Sequence, residues 1–426
     1  MRAFAALAHP PLARLWAGLS LAAIGDQLQR MAVIWIAVQL AGSNAGFVAS
    51  AEMGAVLVVA LFAGAWTERW DHRRTMIATD LIRAVLALIP VAAWLTGRLD
   101  LWTVVIPSVA LAGLRGVFDP ALQGSLPRLA SEPRLLVSAN ALMDATQRIA
   151  RLVGPGVAGA LAAVMPAVGL MAINAASFVA SALAVGSLKR ELPRQTHDAS
   201  RSRREMLLVG VRAVRAQPIF LWLLALGAVM SGFWMVALWL CVPLIVQTSG
   251  LTAFGLEGLA VVGLITGAYG AGNVAGNLFV GGVEIRRPLR MVFGGNVIVG
   301  SGLAMAGVAA LLAPQPLIAP MMMAGCAFAA FGGPICDVPA ATLRQTVFAA
   351  HEVPAVYRLL IVFDWGGMTL ATALAPFVLG LASPAAVMVA SAVGMALVSV
   401  AGFLRRDLGV YDGAFATPRQ SPMLAE

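Results

Sequence analysis

The sequence predicts an all-α membrane protein, with twelve transmembrane helices arranged in two pseudo-symmetric six-helix halves. Of its 426 residues, 60% are hydrophobic and 12% are charged, about half the charged share of a soluble domain. The apolar residues form runs of about 20, the length at which a helix crosses roughly 30 Å of hydrocarbon. The runs lack the alternation of a membrane β-barrel, so helices must pair the backbone groups internally. A repeat of short sequence landmarks indicates two related halves.

The twelve runs follow one another with short polar breaks. The first run carries Asp26 and Arg30 and is too long for the apolar core of a signal peptide, so it is assigned as a helix of the protein. The loops at Pro166 and Pro384 are very short. The predicted spans are residues 15–40, 46–66, 75–95, 101–122, 137–163, 167–188, 218–246, 257–281, 290–312, 316–338, 357–381 and 385–404.

The longest polar stretch divides the chain into parts. We expect a six-helix bundle over residues 1–188 and a second over 218–404. Between them, 189–217 is expected to be a cytoplasmic linker that ends in an amphipathic helix. The tail, 405–426, is expected to be cytoplasmic and disordered.

Landmarks recur between the halves at nearly constant offsets, which indicates a duplication. Parallel halves with a site between them at mid-membrane are a transporter architecture. The matching positions are Gly64 with Gly282, Asp119 with Asp337, and Pro155 with Pro376, at offsets of 218, 218 and 221 residues.

The basic residues give the expected topology. They concentrate in alternate loops, and by the positive-inside rule this places both termini in the cytoplasm of a multi-pass bacterial inner (plasma) membrane protein. The net charge of +9 is therefore not a nucleic-acid footprint, since the arginines do not share one polar face.

A charged turn follows the second span: Gly64-x-x-x-Glu68-Arg69-x-Asp71-x-Arg73-Arg74. Such a turn at a helix junction can pair with neighbouring helix ends in one conformation and release them in another. We expect an ionic gate on the cytoplasmic side; the alternative is that these charges only set topology. The expected gate residues are Gly64, Glu68, Arg69, Asp71, Arg73, Arg74, Asp80, Arg83, Arg115 and Asp119.

A glycine–proline motif lies in the fifth span, at Gly154, Pro155 and Gly159. Proline removes a helix hydrogen bond, and glycine lets a neighbouring helix approach closely. We expect a bend and a tight helix contact, useful for sealing or rocking; ordinary small-residue packing is the alternative.

These motifs resemble those of the major facilitator superfamily. The charged turn resembles its signature between helices 2 and 3, with Glu68 in place of an aspartate and Asp71 in place of a glycine. Arg151 and the glycine–proline motif are similar to the antiporter motif of its drug–proton exporters. Further short motifs, such as Asp80-Leu-Ile-Arg83, resemble those of its enterobactin-exporter and macrolide-efflux branch. The resemblance implies alternating access and export of a siderophore or drug.

Charged residues inside apolar runs are the candidate coupling site. A charge at membrane depth costs roughly 2.5–3.5 kcal/mol on insertion scales, so it is usually retained for function. Spacings of three or four place Asp26 with Arg30, Asp80 with Arg83, Arg115 with Asp119, and Asp144 with Arg148 on shared helix faces. We expect one of Asp26, Glu52, Asp144 or Asp364 to carry a proton; static ion pairs are the alternative. The expected cavity residues are Asp26, Arg30, Glu52, Asp144, Arg148, Arg151 and Asp364.

The expected partners follow from this pattern. They are a small-molecule substrate, protons and the lipid bilayer, without nucleic acid, and we expect a monomer. Arg30, Arg148 and Arg151 favour an anionic cargo unless their own pairs occupy them. No cofactor, metal or enzymatic activity is expected, because the histidines and cysteines show no ligand spacing. An importing symporter or facilitator of the same fold is the alternative, and a membrane sensor or enzyme is a remote one.

Overall fold

The computed structural model describes residues 7–62, 71–130, 132–188, 211–349 and 352–404. These residues form twelve long helical segments. One of them, α7, is a composite of the α-helix Pro218–Trp234, the π-helical stretch Met235–Cys241 and the α-helix Val242–Ser249. The other eleven are α1 Pro10–Ala41, α2 Ala45–Phe62, α3 His72–Leu95, α4 Leu101–Leu129, α5 Pro133–Ala162, α6 Ala167–Gly186, α8 Leu259–Gly281, α9 Pro288–Leu312, α10 Gln315–Val347, α11 Val353–Leu379 and α12 Pro384–Phe403.

Ten segments of the described chain are long and apolar enough to cross a membrane. The first, Pro10–Val59, contains α1 and most of α2, and α5 falls outside the ten segments. The predicted membrane-spanning, all-helical class is therefore confirmed. Of the predicted linker, residues 189–210 lie outside the described part, and 211–215 are helical with Val214 buried. The predicted tail, 405–426, also lies outside it.

The pairing of helices repeats in the two halves. In the N half, α1 packs on α5 and α6, α3 packs on α4 and α6, and α2 packs on α4. In the C half, α7 packs on α11 and α12, α9 packs on α10 and α12, and α8 packs on α10. Each pair of the N half thus has a counterpart six helices later, as the duplicated landmarks predict. The main contacts between the halves are α2 with α11 and α5 with α8, which the same symmetry relates.

The halves are in contact at one end of the bundle. We call this the distal end, where α1 finishes and α2 starts, and the opposite one the proximal end. Ser50 Oγ donates a hydrogen bond of 3.0 Å to the backbone oxygen of Thr369. The rings of Phe47 and Phe377 pack edge to face at 5.8 Å. Both contacts join the first part of α2 to the last part of α11, so they close the distal end.

Glycines bring α5 and α8 together near the same end. A Cβ atom built on Gly159 would lie 2.7 Å from the Cα of Gly263 and 3.1 Å from the backbone oxygen of Ala260. Gly156 faces Gly267 in the next turn. Because backbone meets backbone at Gly159 and Gly263, only glycine fits at these two positions, and the expected close contact of the glycine–proline motif is present.

Candidate functional site

A network of five charged side chains lies inside the N half. Its centre is Asp26, halfway along α1. The Arg83 Nη2 atom lies 3.0 Å from Asp26 Oδ1, and the Arg115 Nη1 atom lies 3.6 Å from Asp26 Oδ2. Arg83 also contacts Asp80 at 3.3 Å, and Arg115 contacts Asp119 at 3.6 Å. We call these five residues the ion network; it joins three helices, α1, α3 and α4.

Arg83 is the most enclosed cation of the network. Its guanidinium group stacks on the ring of Phe178 in α6, 3.9 Å from the centroid. Arg83 is 5% exposed and Asp80 is fully buried. Asp80 Oδ2 and the Ser181 hydroxyl face each other without completing a hydrogen bond. Buried ions are tolerated when they are paired, so removal of one partner leaves the others in an apolar wall at high cost.

Three of the four predicted same-helix pairs are present, and one is wrong. Asp80 with Arg83 and Arg115 with Asp119 form within the network, and Arg148 Nε lies 2.7 Å from Asp144 Oδ2. Asp26 instead pairs with the arginines of α3 and α4 and not with Arg30. Spacing by four residues places two side chains on one face, but it does not exclude stronger partners on neighbouring helices.

The predicted gate residues separate into two groups. Asp71 and Arg73 lie at the proximal start of α3: Asp71 accepts a hydrogen bond from the Arg74 amide nitrogen at 3.0 Å, and Arg73 donates one to the Gly186 oxygen at 2.6 Å. Asp80, Arg83, Arg115 and Asp119 belong instead to the ion network around Asp26. Gly64, Glu68 and Arg69 lie outside the described residues.

A small cavity of about 90 Å³ adjoins the ion network. Arg30 and Glu52 line it together and interact electrostatically. Ser108 of α4 and Trp365 of α11 also reach it, so the cavity is formed mainly by the N half and touches the C half. Two residues of the predicted cavity set therefore share one site with Asp26.

The remaining predicted cavity residues face the space between the halves. Asp144 and Arg148 have more than half of their side-chain surface exposed. Arg148 interacts electrostatically with Asp337 of α10 and Tyr357 of α11, which belong to the other half. Arg151 lies in the same electrostatic environment. The pairing of Arg148 with Asp144 weakens the argument for an anionic cargo, which then depends on Arg30 and Arg151.

The C half contributes a second polar wall and an aromatic cluster. Asp364 of α11 packs against Gly227 of α7 and interacts with Ser231. Nearby, Trp234 Nε1 donates a hydrogen bond of 2.9 Å to the Tyr269 hydroxyl. The aromatic cluster consists of Trp234, Trp239, Tyr269 and Trp365, beside Met53 and Met235.

Sequence reasoning missed several residues of this site. Asp337 was visible as the counterpart of Asp119 but was not included among the cavity residues. Phe178 and Ser108 carry no sequence signal, because one aromatic or small polar residue in an apolar run is common packing. Among the described residues, no group of histidine, cysteine or acidic side chains could hold a metal ion.

Comparison with known proteins agrees with this architecture. The model of the Major Facilitator Superfamily matches residues 15–309. Among solved structures, the POT family transporter PepTSo superposes with a TM-score of 0.69 at 13% identity, over 96% of this chain and 98% of that one. A bacterial homologue of the iron transporter ferroportin, in an inward-facing state, gives 0.67 at 14% identity, over 93% and 99%. At these identities the likeness concerns the fold alone.

Two curated relatives share sequence over part of the chain. The multidrug efflux pump Tap of Mycolicibacterium fortuitum is 34% identical over 190 residues, which cover 43% of this chain and 46% of that protein. The Tap protein of Mycobacterium tuberculosis (strain ATCC 25618 / H37Rv) is 33% identical over 189 residues, or 42% and 45%. The chain thus matches a little under half the length of these relatives.

Proposed function

The chain belongs to the Major Facilitator Superfamily, and on this basis we propose that it is a secondary transporter that exports small amphipathic, drug-like molecules in exchange for protons. The observation that carries the proposal is the ion network around Asp26 in the N half, beside a small cavity that also touches Trp365 of the C half. Buried ionisable groups at mid-membrane are costly, and they are typical of proton and substrate paths.

Alternating access is the proposed cycle. The two bundles, over 1–188 and 218–404, rock about the mid-membrane site, and the closed distal contacts are exchanged for closed proximal ones. We place the proximal end and both termini in the cytoplasm, because the basic loops lie on that side. In this assignment the described conformation opens toward the cytoplasm and is ready to take cargo. Asp71, Arg73 and Arg74 lie at the end that closes next.

Asp26 is the proposed proton carrier. Its carboxylate holds Arg83 and Arg115 at once, so protonation removes the link between α1 and the arginines of α3 and α4. Arg83 keeps Asp80, and Arg115 keeps Asp119, so neither cation is left alone. A proton on Asp26 therefore loosens one helix of the N half without leaving an unpaired charge. Such a change in contacts is what a coupling ion must produce to bias two conformations.

The proposed cargo binds between the halves and outside the small cavity, which at about 90 Å³ is too small for a drug-sized molecule. The aromatic cluster offers Trp234, Tyr269 and Trp365 for flat apolar groups, and Asp337 and Asp364 lie on the C-half wall. The names of the Tap relatives support drug export. Arg30 and Arg151 favour the anionic members of the amphipathic class, such as siderophores. We propose that the protein acts as a monomer, with the cavity formed within one chain.

The test uses purified protein in sealed proteoliposomes under an imposed pH gradient, with a panel of amphipathic drugs and siderophores. We expect gradient-driven movement with wild-type protein, and loss of that movement in Asp26→Asn with exchange of labelled cargo retained. Asp100→Asn is the matched control. Asp100 caps α4, its bond from the Thr103 amide lowers the pKa of this loop carboxyl, and asparagine caps equally well.

Two results would count against the proposal. If wild-type protein moves no member of the panel under any gradient, proton-coupled export is wrong. If Asp26→Asn stays fully coupled, the proton is carried elsewhere, and Glu52, Asp144 and Asp364 are tested next by the same neutralisation. Vesicles of known orientation separate export from the alternative of import, since the two directions predict accumulation on opposite sides of the membrane.

A further inference from the structure

The small cavity of the N half has an unusual lining for a membrane protein. Its walls carry polar side chains that are almost fully buried and that hold polar atoms without a hydrogen-bond partner within the described residues. Asn174 is fully buried, with its Nδ2 atom unpaired. Gln29 is 8% exposed, with neither amide atom paired. Ser108 is 3% exposed, and its hydroxyl faces Glu52 without completing a hydrogen bond.

An unpaired buried amide or hydroxyl costs about 1–3 kcal/mol, so native proteins rarely leave such groups without a partner. Here three of them line one space, and Arg83 adds an unpaired Nε atom. The cavity of about 90 Å³ has room for several waters. Each water would have polar atoms on several sides, which is the condition under which a buried cavity is hydrated and not empty.

The charges around the cavity favour water over an ion. The groups that face it are the carboxylates of Asp26 and Glu52 and the guanidinium groups of Arg30, Arg83 and Arg115. The two signs nearly balance, and the cations of the wall oppose a bound metal ion. Neutral water can accept from the arginines and donate to the carboxylates.

The lining of the cavity follows α1 from the middle of the helix toward the distal end. Along α1 its lining residues are Asp26, Gln29, Arg30 and Val33, which share one helix face over about 10 Å. Glu52 lies at the distal end of this stretch, within one helical turn of Ser50, whose bond to Thr369 closes the halves. Opening of the distal end would therefore expose Glu52 before it exposed Asp26.

We infer that this cavity is a water-filled chamber that carries protons from Glu52 to Asp26, with Gln29, Ser108 and Asn174 as the residues that position its waters. The transfer of protons through the cavity rests on the proposed function, whereas the presence of water in the cavity does not. A proton arriving from the distal side binds Glu52, and each water of the chain then passes one proton to the next, so that Asp26 gains a proton as Glu52 loses one. Glu52 returns to the carboxylate form, so charge and protons balance.

The first test concerns water alone. A structure of the wild-type protein at a resolution that shows ordered water should contain density within hydrogen-bond distance of Gln29, Ser108 and Asn174. In Gln29→Leu, which keeps the volume and removes both polar atoms, that density should be lost. An empty wild-type cavity, or unchanged water in Gln29→Leu, overturns the chamber whether or not the protein transports anything.

The second test concerns protons. In proteoliposomes, Ser108→Ala should slow cargo-dependent proton uptake by up to about tenfold, the equivalent of one hydrogen bond to a neutral water, while labelled cargo still exchanges. Ser108→Thr retains the hydroxyl and should restore the rate. Ser125→Ala is the matched control, because this buried serine of the same helix donates to the Ala121 oxygen away from the cavity.

The outcomes separate the two proposals. Equal proton uptake in Ser108→Ala and Ser125→Ala, or an equal loss of uptake and exchange in Ser108→Ala, overturns the proton path. If the wild-type protein takes up no protons at all, the proposed function and the proton path both fail. The water density then decides only whether the cavity is hydrated.

Discussion

The glycine contact between α5 and α8 allows a sharp test of alternating access. In Gly159→Ala the new methyl group would lie 2.7 Å from the Cα of Gly263 and 3.1 Å from the Ala260 oxygen. Carbon atoms pack at about 3.5–4.0 Å, so the helices must separate by about 1 Å at this point. Overpacking of this kind costs roughly 1–3 kcal/mol, and the cost falls only on the conformation with a closed distal end. That conformation should therefore lose population relative to the distal-open one by roughly 5- to 150-fold.

The measurement is the distance between spin labels on either half. One pair, at Ser43 and Glu257, reports the distal end, and a second pair at Glu132 and Glu284 reports the proximal end. We expect Gly159→Ala to lengthen the distal distances and shorten the proximal ones. Gly294→Ala is the control, because a Cβ on this helical glycine meets no atom within 4 Å. Identical distance distributions in wild type and Gly159→Ala would refute the reasoning, as would a shift of the same size in the control.

Three further outcomes follow from the contacts of the site. In a double-mutant cycle, Phe178→Leu and Arg83→Met should couple by about 2 kcal/mol in thermal unfolding, because the stacked cation is desolvated; additive losses would argue against the stacking. Ser50→Ala removes one hydrogen bond to Thr369 and should lower the free-energy advantage of the distal-closed conformation by only about 0.5–1.5 kcal/mol, so the spin-label distances should shift in the same sense as in Gly159→Ala but less. A shift in the opposite sense would contradict the distal closure. Asp144→Asn breaks an exposed pair and should change stability by less than about 1 kcal/mol; a larger loss would mean that this pair is structurally important.

The sequence predicted the helices well where hydrophobicity decides them. Residues 167–188 were predicted as a span, and α6 covers Ala167–Gly186. The span predicted over 316–338 continues to Val347 in α10, because hydropathy marks where a chain leaves the membrane and not where hydrogen bonding ends. The π-helical stretch inside α7 was not predicted, since its composition is as apolar as the α-helical parts on either side.

The sequence identified most residues of the candidate site but not which of them pair with one another. Asp26, Arg83 and Arg115 were each identified, but they were divided between a coupling site and a gate. In the structure they form one network, because α1, α3 and α4 cross with these residues at similar depth. A side chain's partners on other helices depend on helix rotation and tilt, and neither has a signature in local spacing.

The sequence by itself determined that the chain lies in a membrane, that it is helical, and that its two parts are related, because the cost of backbone and charge in hydrocarbon acts on each residue locally. The tertiary structure decided which charges pair, since Asp26 forms its ion pair with Arg83 of α3 and not with Arg30 of its own helix. It also decided that Gly159 meets Gly263, and that Gln29, Ser108 and Asn174 line one polar space. These are properties of distances between helices, and such distances depend on the packing of all twelve helices together.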